Sequence, residues 1–360
     1  MEFIRGQHNL RPRHHGCVAT IGNFDGVHLG HQAILTQLAE PAGQLRLPRL
    51  VITFEPQPQE FFAGPAAPPA RLMRLREKLL ALNGLGIERV LCLKFDQRLA
   101  AMPAETFIED LLVRQLGIRS LVIGDDFRFG HRRTGDFAML VAAGQQHGFA
   151  VADSHSYMVD GERVSSTRIR QALGWGDLEL TMQLLGRPYD MCGRVAHGDQ
   201  RGRTLGFPTA NIHLHRRATP VYGVYVVLIS GPGLKLWPGV ANVGRRPTVQ
   251  GVREQLEVHL LDFQGDLYGK HVRVDFLHYL RPEQRFGSLD ALRQQIQRDE
   301  QDARNWFVAR GILQAPPSPP TPLLQAGKGV NPSPPAPFSQ KNKEANPPPS
   351  TPLLQGQRGV

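Results

Sequence analysis

The chain has 360 residues, of which 41% are hydrophobic, and carries a formal net charge of +10. This length corresponds to about two domains, and the apolar content allows a sizeable core, which excludes a wholly disordered chain and a disulfide-stapled miniprotein. The positive charge permits anionic partners such as nucleic acids, membranes or phosphorylated small molecules.

The first half of the chain alternates short apolar runs with amphipathic stretches. Helical periodicity covers 31–40, 74–86 and 104–117, and the intervening apolar runs predict strands. These predicted strands are 17–21, 50–54, 89–93, 121–123 and 149–152. Strands separated by helices of this length indicate βαβ units, so we expect an α/β domain with a parallel sheet.

The pattern is helical over 166–185 and changes at 186. From there to about residue 280 the chain contains strand-like runs with glycine-rich connections, which predict an antiparallel sandwich or barrel. A helix over 288–309, with Ser288 as its candidate N-cap, closes this second part.

The last segment, 314–360, holds 13 of the 29 prolines. It also contains a near repeat, TPLLQAGKGV at 321–330 and TPLLQGQRGV at 351–360. We expect it to be disordered or polyproline-like, either a neutral extension or a partner-binding segment. The predicted organisation is therefore a first domain over 1–185, a second over 186–313 and this tail.

The cysteines indicate the cellular compartment of the protein, and the basic residues indicate the class of ligand that it binds. Cys17, Cys92 and Cys192 have no metal-ligand spacing and lie in apolar surroundings, so we expect buried thiols in a reducing compartment. No apolar stretch reaches the ~18 residues of a membrane span, and the N-terminus lacks a signal-peptide pattern. Basic residues occur in short groups such as Arg132–Arg133, which favours nucleotides over nucleic acid. We expect a cytoplasmic protein with small-molecule partners and no membrane or nucleic-acid partner; its oligomeric state stays open.

The stretch VATIGNFDGVHLGHQAIL (18–35) predicts a strand, a glycine-rich turn and a helix. Such a corner offers free N–H groups to anions at the carboxyl edge of a parallel sheet. His28 and His31 lie three residues apart on one side of this turn, where both can donate hydrogen bonds to phosphate oxygens. The alternative is two surface histidines in a polar loop.

Two later segments add candidate residues to the first domain. In VSSTRIRQAL (164–173) a Ser-Thr pair at a helix start and an arginine suit a triphosphate, although the pair is also a plain N-cap pattern. In GDDFRFGHRRTGD (124–136), Asp126 follows a strand and suits either a nucleotide or metal contact or a stabilised loop. The alternating Phe127 and Phe129 suit either a flat ligand or the core.

The second domain contains GRTLGFPTANI (202–212) and EQLEVHLLDF (254–263). Thr209 and Asn211 share a face if the segment is extended, and neutral oxygens of this kind suit Mg²⁺ beside nucleotide phosphates. Glu257 alternates with apolar residues, so it is either a general base facing a polar site or a solvated carboxylate. The chain contains no Walker A sequence.

Taken in order, GNFDGVHLGH, TFEPQP (53–58), GDDFRFGHRRTGD and VSSTRIRQAL resemble the bacterial bifunctional riboflavin kinase/FAD synthetases. PTAN (208–211) and GVANVGRRPT (239–248) resemble the kinase module of the same family. The resemblance covers about 10–310. It implies a Rossmann-like HxGH nucleotidylyltransferase domain followed by an antiparallel β-barrel riboflavin kinase domain with a terminal helix.

The resemblance also implies a role for each candidate residue. His28 and His31 would act on the phosphates of ATP, and Glu257 would activate the 5′-hydroxyl of riboflavin. The remaining nucleotide-binding residues would be Asn23, Asp25, Arg163, Ser166, Thr167, Arg170, Thr209 and Asn211. Asp126, Phe127 and Phe129 would contact the flavin, and Thr209 and Asn211 would bind Mg²⁺. The implied reactions are riboflavin to FMN and FMN to FAD, each with ATP.

Three rival functions remain from the sequence. The first is a nucleotidylyltransferase of another specificity, against which the kinase-like second domain counts. The second is a flavin-binding or nucleotide-binding regulator without chemistry, and the third is a nucleic-acid-binding protein.

Overall fold

The computed structural model describes residues 1–63, 68–124, 126–154, 156–197, 206–216, 218–248 and 251–314. The proline-rich tail beyond 314, most of the glycine-rich loop before PTAN, and Asp125 lie outside these residues. The predictions made for the tail, its disorder and its role as a neutral extension or a partner-binding segment, therefore stay predictions.

The first part of the chain forms a six-stranded, all-parallel sheet in the order β1-β4-β3-β2-β5-β6. Its strands are β1 (Glu2–Arg5), β2 (Cys17–Ile21), β3 (Arg49–Glu55), β4 (Arg89–Lys94), β5 (Ile118–Ile123) and β6 (Ala150–Asp153). A small hairpin of β7 (Met158–Val159) and β8 (Glu162–Arg163) follows. The predicted parallel α/β architecture is confirmed.

Helices cover both faces of this sheet, and an apolar cluster lies on each side. They are α1 (Leu29–Gln37), α2 (Ala39–Leu45), α3 (Pro58–Phe62), α4 (Leu75–Gly84), α5 (Gln97–Ala100), α6 (Ala104–Thr106), α7 (Phe137–His147), α8 (Ser166–Gly174) and α9 (Leu178–Leu185). A π-helix, Phe107–Gln115, follows α6 directly. The sequence pattern missed the edge strand β1, because its four residues are too few to show a period.

The second part is a closed six-stranded antiparallel barrel in the order β10-β13-β12-β11-β14-β9. Its strands are β9 (Tyr189–Ala196), β10 (Thr209–His213), β11 (Gly223–Gly231), β12 (Leu234–Thr248), β13 (Gly251–Leu260) and β14 (His271–Arg281). On β13 the buried Leu256 and Val258 belong to the interior core. Glu257 therefore faces outward, because side chains alternate along a strand. Of the two predicted topologies, the barrel is the one observed.

The final helix, α10 (Leu289–Ala309), covers part of the outer barrel surface. Ala303 and Phe307 pack there against Val226 and Leu261. Ser288 caps the helix, since its side chain accepts a hydrogen bond from the Ala291 N–H at 3.1 Å. The helix and its cap match the prediction.

The three cysteines are free and buried, as expected. Within the described ranges, no helix combines the length and the apolar character that crossing a bilayer requires.

Candidate active sites

The candidate site of the α/β domain is a polar cavity of about 370 Å³ at the carboxyl ends of β2 and β5. The first turns of α1 and α8 both line it. The first N–H groups of a helix have no intrahelical partner and carry partial positive charge. The two helix N-termini therefore make this cavity electrostatically favourable for an anionic ligand. The strand–turn–helix pattern predicts such a cavity.

His28 and His31 both line this cavity, with their rings stacked at 3.6 Å between centroids. His28 is the N-cap of α1, and its Nδ1 accepts a hydrogen bond from the His31 N–H at 3.3 Å. The Nδ1 of His31 is buried and has no hydrogen-bond partner among the described residues. The turn thus holds one imidazole in place and leaves a polar atom of the other available for a ligand.

Burial determines the charge of both imidazoles. The pKa of His28 is lowered to about 4, mainly by burial; the charge of Asp25 opposes this shift, and the positive charges of Arg163 and Arg170 add to it. Burial, followed by the neighbouring His28, also lowers the pKa of His31 well below its ordinary value. Both rings are therefore neutral at pH 7 in the free protein, and each offers one N–H donor. The positively charged side chains that line the cavity are therefore Arg163 and Arg170, each paired with an aspartate, Asp126 and Asp25 respectively.

The low pKa of His28 predicts a stability change with pH. The folded state binds this proton only near pH 4, whereas the unfolded chain binds it near pH 6.5. Between these values the unfolded state holds more protons, so the free energy of unfolding falls as the pH falls, by about 3 kcal/mol for a shift of this size. We expect His28→Asn, which keeps an N-cap side chain, to lose most of this dependence.

The measurement is urea unfolding between pH 4.5 and 7, where the slope for wild type should exceed that for the variant. Parallel slopes would contradict a buried, neutral His28. His14→Asn is the control, since His14 is a buried histidine outside the cavity that contacts Glu2.

Asp25 shapes the turn. It is 2% exposed, and its carboxylate accepts hydrogen bonds from the N–H groups of Leu72, at 3.1 Å, and Met73, at 3.0 Å. Arg170 forms an ion pair with the same carboxylate and donates to the carbonyl of Ala70 at 2.7 Å. Asp25 thus anchors the turn through its carboxylate, Arg170 joins the turn to α8, and both residues line the cavity.

The other predicted nucleotide-binding residues of this domain also line the cavity. Ser165 is the N-cap of α8, so Ser166 and Thr167 are the first two residues of that helix. The Ser166 hydroxyl donates to the carbonyl of Asp25 at 2.8 Å. The side-chain oxygen of Asn23 is buried and has no partner among the described residues.

Arg163 and Asp126, predicted separately, form one bidentate pair at 2.8 and 3.0 Å. The hydrogen bond from Arg163 lowers the pKa of Asp126, which therefore stays ionised. The pair joins the loop after β5 to the hairpin before α8. Both residues line the polar cavity.

A second cavity of about 690 Å³ adjoins the polar one and is mostly apolar. The lining residues that the two share are Gly22, Asn23, Gln59, Asp126 and Phe127. The ring of Phe127 stacks on Phe129 at 5.6 Å between centroids. Phe129 is buried in the core cluster, whereas Phe127 is partly exposed. Phe129 therefore packs in the core, as one of the two sequence interpretations predicts, whereas the ligand contact of Phe127, at the junction of the two cavities, stays a prediction.

Sequence reasoning missed two further parts of this region. Phe54, Phe62 and Phe95 form an aromatic wall of the apolar cavity, and Phe62 is exposed. Lys78 is 1% exposed, and its ammonium donates to the carbonyl of Asn23 at 2.5 Å. Burial lowers the pKa of Lys78. No sequence pattern distinguishes a helical lysine that makes such a contact. The aromatic residues lie far apart in the sequence, so their proximity could not be predicted from it.

The candidate site of the barrel domain is a row of polar side chains across three strands. Asn211 on β10 and Asn242 on β12 each pair directly with Glu257 on β13, so all three share the outer face. The Gln255 amide donates to Asn211 at 2.6 Å and to Glu257 at 2.8 Å. The oxygen of Asn242 is buried and lacks a partner among the described residues. The prediction singled out two of the three members and missed Asn242.

Thr209 lies at the start of β10, two residues before Asn211, and pairs with His259 on the neighbouring strand β13. It also lines a cavity of about 250 Å³ with Phe263 and Tyr268. The donor set of Thr209, Asn211, Asn242 and Glu257 consists of oxygen atoms, the ligands that Mg²⁺ prefers. With the unpartnered oxygen of Asn242, these residues fit a magnesium ion accompanied by nucleotide phosphates.

Comparison with known proteins agrees with both halves of this description. The FAD synthetase family model matches residues 10–168, and the riboflavin kinase family model matches residues 185–307. The bifunctional riboflavin kinase/FMN adenylyltransferase of Escherichia coli (strain K12) is 54% identical over 308 residues, covering 85% of this chain and 98% of that protein. The protein of the same name from Haemophilus influenzae is 50% identical over 307 residues, covering 85% of this chain and 99% of its own length.

Among solved structures, one titled as a macrolide-efflux protein from Streptococcus pneumoniae has a TM-score of 0.74 and 31% identity. The match covers 85% of this chain and 100% of that one, which supports the two-domain fold. Fold and sites together define a two-domain, nucleotide-dependent transferase. The chain belongs to the family of bifunctional riboflavin kinase/FMN adenylyltransferases.

Proposed function

We propose that the barrel phosphorylates riboflavin to FMN and that the α/β domain adenylylates FMN to FAD, each step using ATP. The supporting observation is the junction of the two cavities at Asn23, Asp126 and Phe127. Adenylyl transfer requires a triphosphate next to a flavin phosphate, and here an anion-binding cavity opens into an aromatic one. We assign the first activity to 186–313 and the second to 1–185.

In the adenylyl transfer, a phosphate oxygen of FMN attacks the α-phosphorus of ATP and pyrophosphate leaves. No covalent enzyme intermediate is needed, so the protein contributes position and charge stabilisation. We assign phosphate contacts to His28 and His31 and to the start of α8, at Ser166 and Thr167. Arg163 and Arg170 neutralise the charge that develops on the pyrophosphate.

We assign the flavin to the apolar cavity, where the partly exposed ring of Phe127 offers a contact surface. The ring of Phe129 packs against the ring of Phe127 and helps to hold it in place. Asp126, held ionised by Arg163, is placed to accept hydrogen bonds from a polar edge of the ring.

In the kinase reaction, the 5′-hydroxyl of riboflavin attacks the γ-phosphorus of ATP and ADP leaves. Glu257 accepts the hydroxyl proton, a task suited to a carboxylate at a polar surface. Asn211 and Asn242 flank it on the neighbouring strands. Thr209 and Asn211 would hold Mg²⁺ together with the ATP phosphates, and the ion would neutralise phosphate charge during transfer.

The proposed partners are these small molecules rather than nucleic acid. We place the protein in the cytoplasm, because three buried and unpaired cysteines are typical of a reducing compartment.

The test is incubation of the purified full chain with riboflavin, ATP and Mg²⁺, followed by chromatographic separation of riboflavin, FMN and FAD over time. FMN should appear first and FAD should follow. FMN that accumulates without FAD, in the presence of excess ATP, would contradict the function proposed for the α/β domain. Riboflavin that stays unchanged would contradict the function proposed for the barrel.

A further inference from the structure

A short stretch of the α/β domain, segment 70–74, lies between the nucleotide cavity and the barrel. It precedes α4, yet its Leu72 is fully buried in the same apolar cluster as Tyr189 and Val221 of the barrel. Leu72 also packs on the turn that carries the histidines, since a Cβ at Gly26 would lie 2.8 Å from its Cδ1. The segment therefore contacts the barrel core on one side and the nucleotide-binding turn on the other.

The barrel holds the backbone of this segment through two buried side chains. Arg216, which follows β10, donates to the carbonyls of Arg71 at 2.7 Å and Leu72 at 3.2 Å. The hydroxyl of Tyr189 on β9 donates to the Leu72 carbonyl at 3.2 Å. Arg216 is also ion-paired with Glu77 of α4 at 2.6 Å, with both side chains almost fully buried.

The same backbone holds the nucleotide-binding turn. The N–H groups of Leu72 and Met73 donate to Asp25, and Arg170, which lines the cavity, is paired with the same carboxylate. Leu72 thus accepts hydrogen bonds from the barrel through its carbonyl and donates one to Asp25 through its N–H. A shift of this peptide moves the Asp25 carboxylate and, with it, Arg170.

We propose that Tyr189 and Arg216 of the barrel are positioning residues for FMN adenylyl transfer in the other domain. They fix segment 70–74, which fixes Asp25 and the guanidinium of Arg170 at the triphosphate. The inference rests on the function proposed for the polar cavity. Its consequence is that changes inside the kinase barrel weaken ATP binding at the adenylyl-transfer site.

Tyr189→Phe is the mild test, because it removes one hydroxyl and keeps the ring in the core. We expect the KM for ATP in FMN adenylylation to rise about three- to tenfold, the size of one lost hydrogen bond, while the kinetic constants of riboflavin phosphorylation stay unchanged. Tyr225→Phe is the matched control, since this buried hydroxyl donates only within the barrel, to the Tyr222 carbonyl at 2.9 Å. It should leave adenylylation unchanged.

Arg216→Met is the stronger test. Arg281→Met is its control, because Arg281 is a barrel arginine that forms a partly buried ion pair with Asp299 of α10. Arg216→Lys should restore part of the adenylylation that Arg216→Met loses. If Arg216→Met does not fold, Tyr189→Phe decides alone. Equal losses of both activities, or an unchanged KM for ATP in the folded variants, would overturn the inference.

The outcome is separable from that of the proposed function. If His28 and His31 variants keep adenylylation, the cavity itself is wrongly assigned. If those variants are inactive and Tyr189→Phe behaves as wild type, only the positioning role is wrong.

Discussion

Glu257→Gln is expected to lower the rate of riboflavin phosphorylation by about 100-fold or more, because a general base contributes at least this factor. Glutamine keeps the shape and the hydrogen bond from Gln255 but cannot accept the hydroxyl proton. FMN supplied directly should still be converted to FAD at the wild-type rate. The measurement is the initial rate of each half-reaction with the same purified protein.

The matched control is Asp262→Asn, another carboxylate-to-amide change just beyond β13. Asp262 is exposed and pairs with Arg304 of α10 at 2.8 Å, so its loss should leave phosphorylation near wild type. A Glu257→Gln protein that phosphorylates riboflavin normally would show that Glu257 is the solvated carboxylate of the alternative interpretation. Loss of both half-reactions would show that the two sites are not separate.

The double change His28→Ala with His31→Ala is expected to lower FAD formation by about 100-fold or more. Both donors to the phosphates are removed, and oriented donors at developing charge contribute a factor of this size each. Riboflavin phosphorylation in the same protein should stay at the wild-type rate, since the barrel is unchanged. The assay follows both products from riboflavin and ATP.

Loss of the His28 cap costs the fold about 1 kcal/mol, which a circular dichroism melt of the variant measures. His14→Ala serves as the control for removing a buried histidine from the same domain. Normal FAD output from the double variant, with the fold intact, would remove the histidines from the site.

The parts of the structure that the sequence predicted share one property, which is short-range periodicity. The strand before the histidines is found at 17–21 as predicted, and the alternation around Glu257 places it outside the barrel, opposite Leu256 and Val258. The cap at Ser288 is also local, because it depends on residues three positions apart. Hydrophobic periodicity and helix-capping patterns were sufficient to predict the fold class and the side of the strand on which these side chains lie.

The parts that it missed depend on contacts between distant residues. The sequence around Lys78 gives no indication that its ammonium reaches the carbonyl of Asn23. The sequence around Asn242 likewise does not show that this residue pairs with Glu257. Arg163 and Asp126 were predicted for different ligands, yet they bind each other across 37 positions of sequence. Such partners follow only from how the strands and loops pack.

Asp25 illustrates the same point within a motif. The family resemblance implied a nucleotide-binding role for it, and only the packing of segment 70–74 places its carboxylate on backbone N–H groups. The groups that bind this carboxylate lie 47 and 145 positions away in the sequence. A local pattern does not carry that information.

The most direct test of two separate sites in one chain is a mixing experiment. Glu257→Gln protein and the His28/His31 double variant are each incubated alone, and then together, with riboflavin, ATP and Mg²⁺. Alone, the first should leave riboflavin largely unchanged and the second should stop at FMN. Together they should produce FAD, because the FMN released by one protein is the substrate of the other. No FAD from the mixture, with each half-reaction intact in its own protein, would contradict the account.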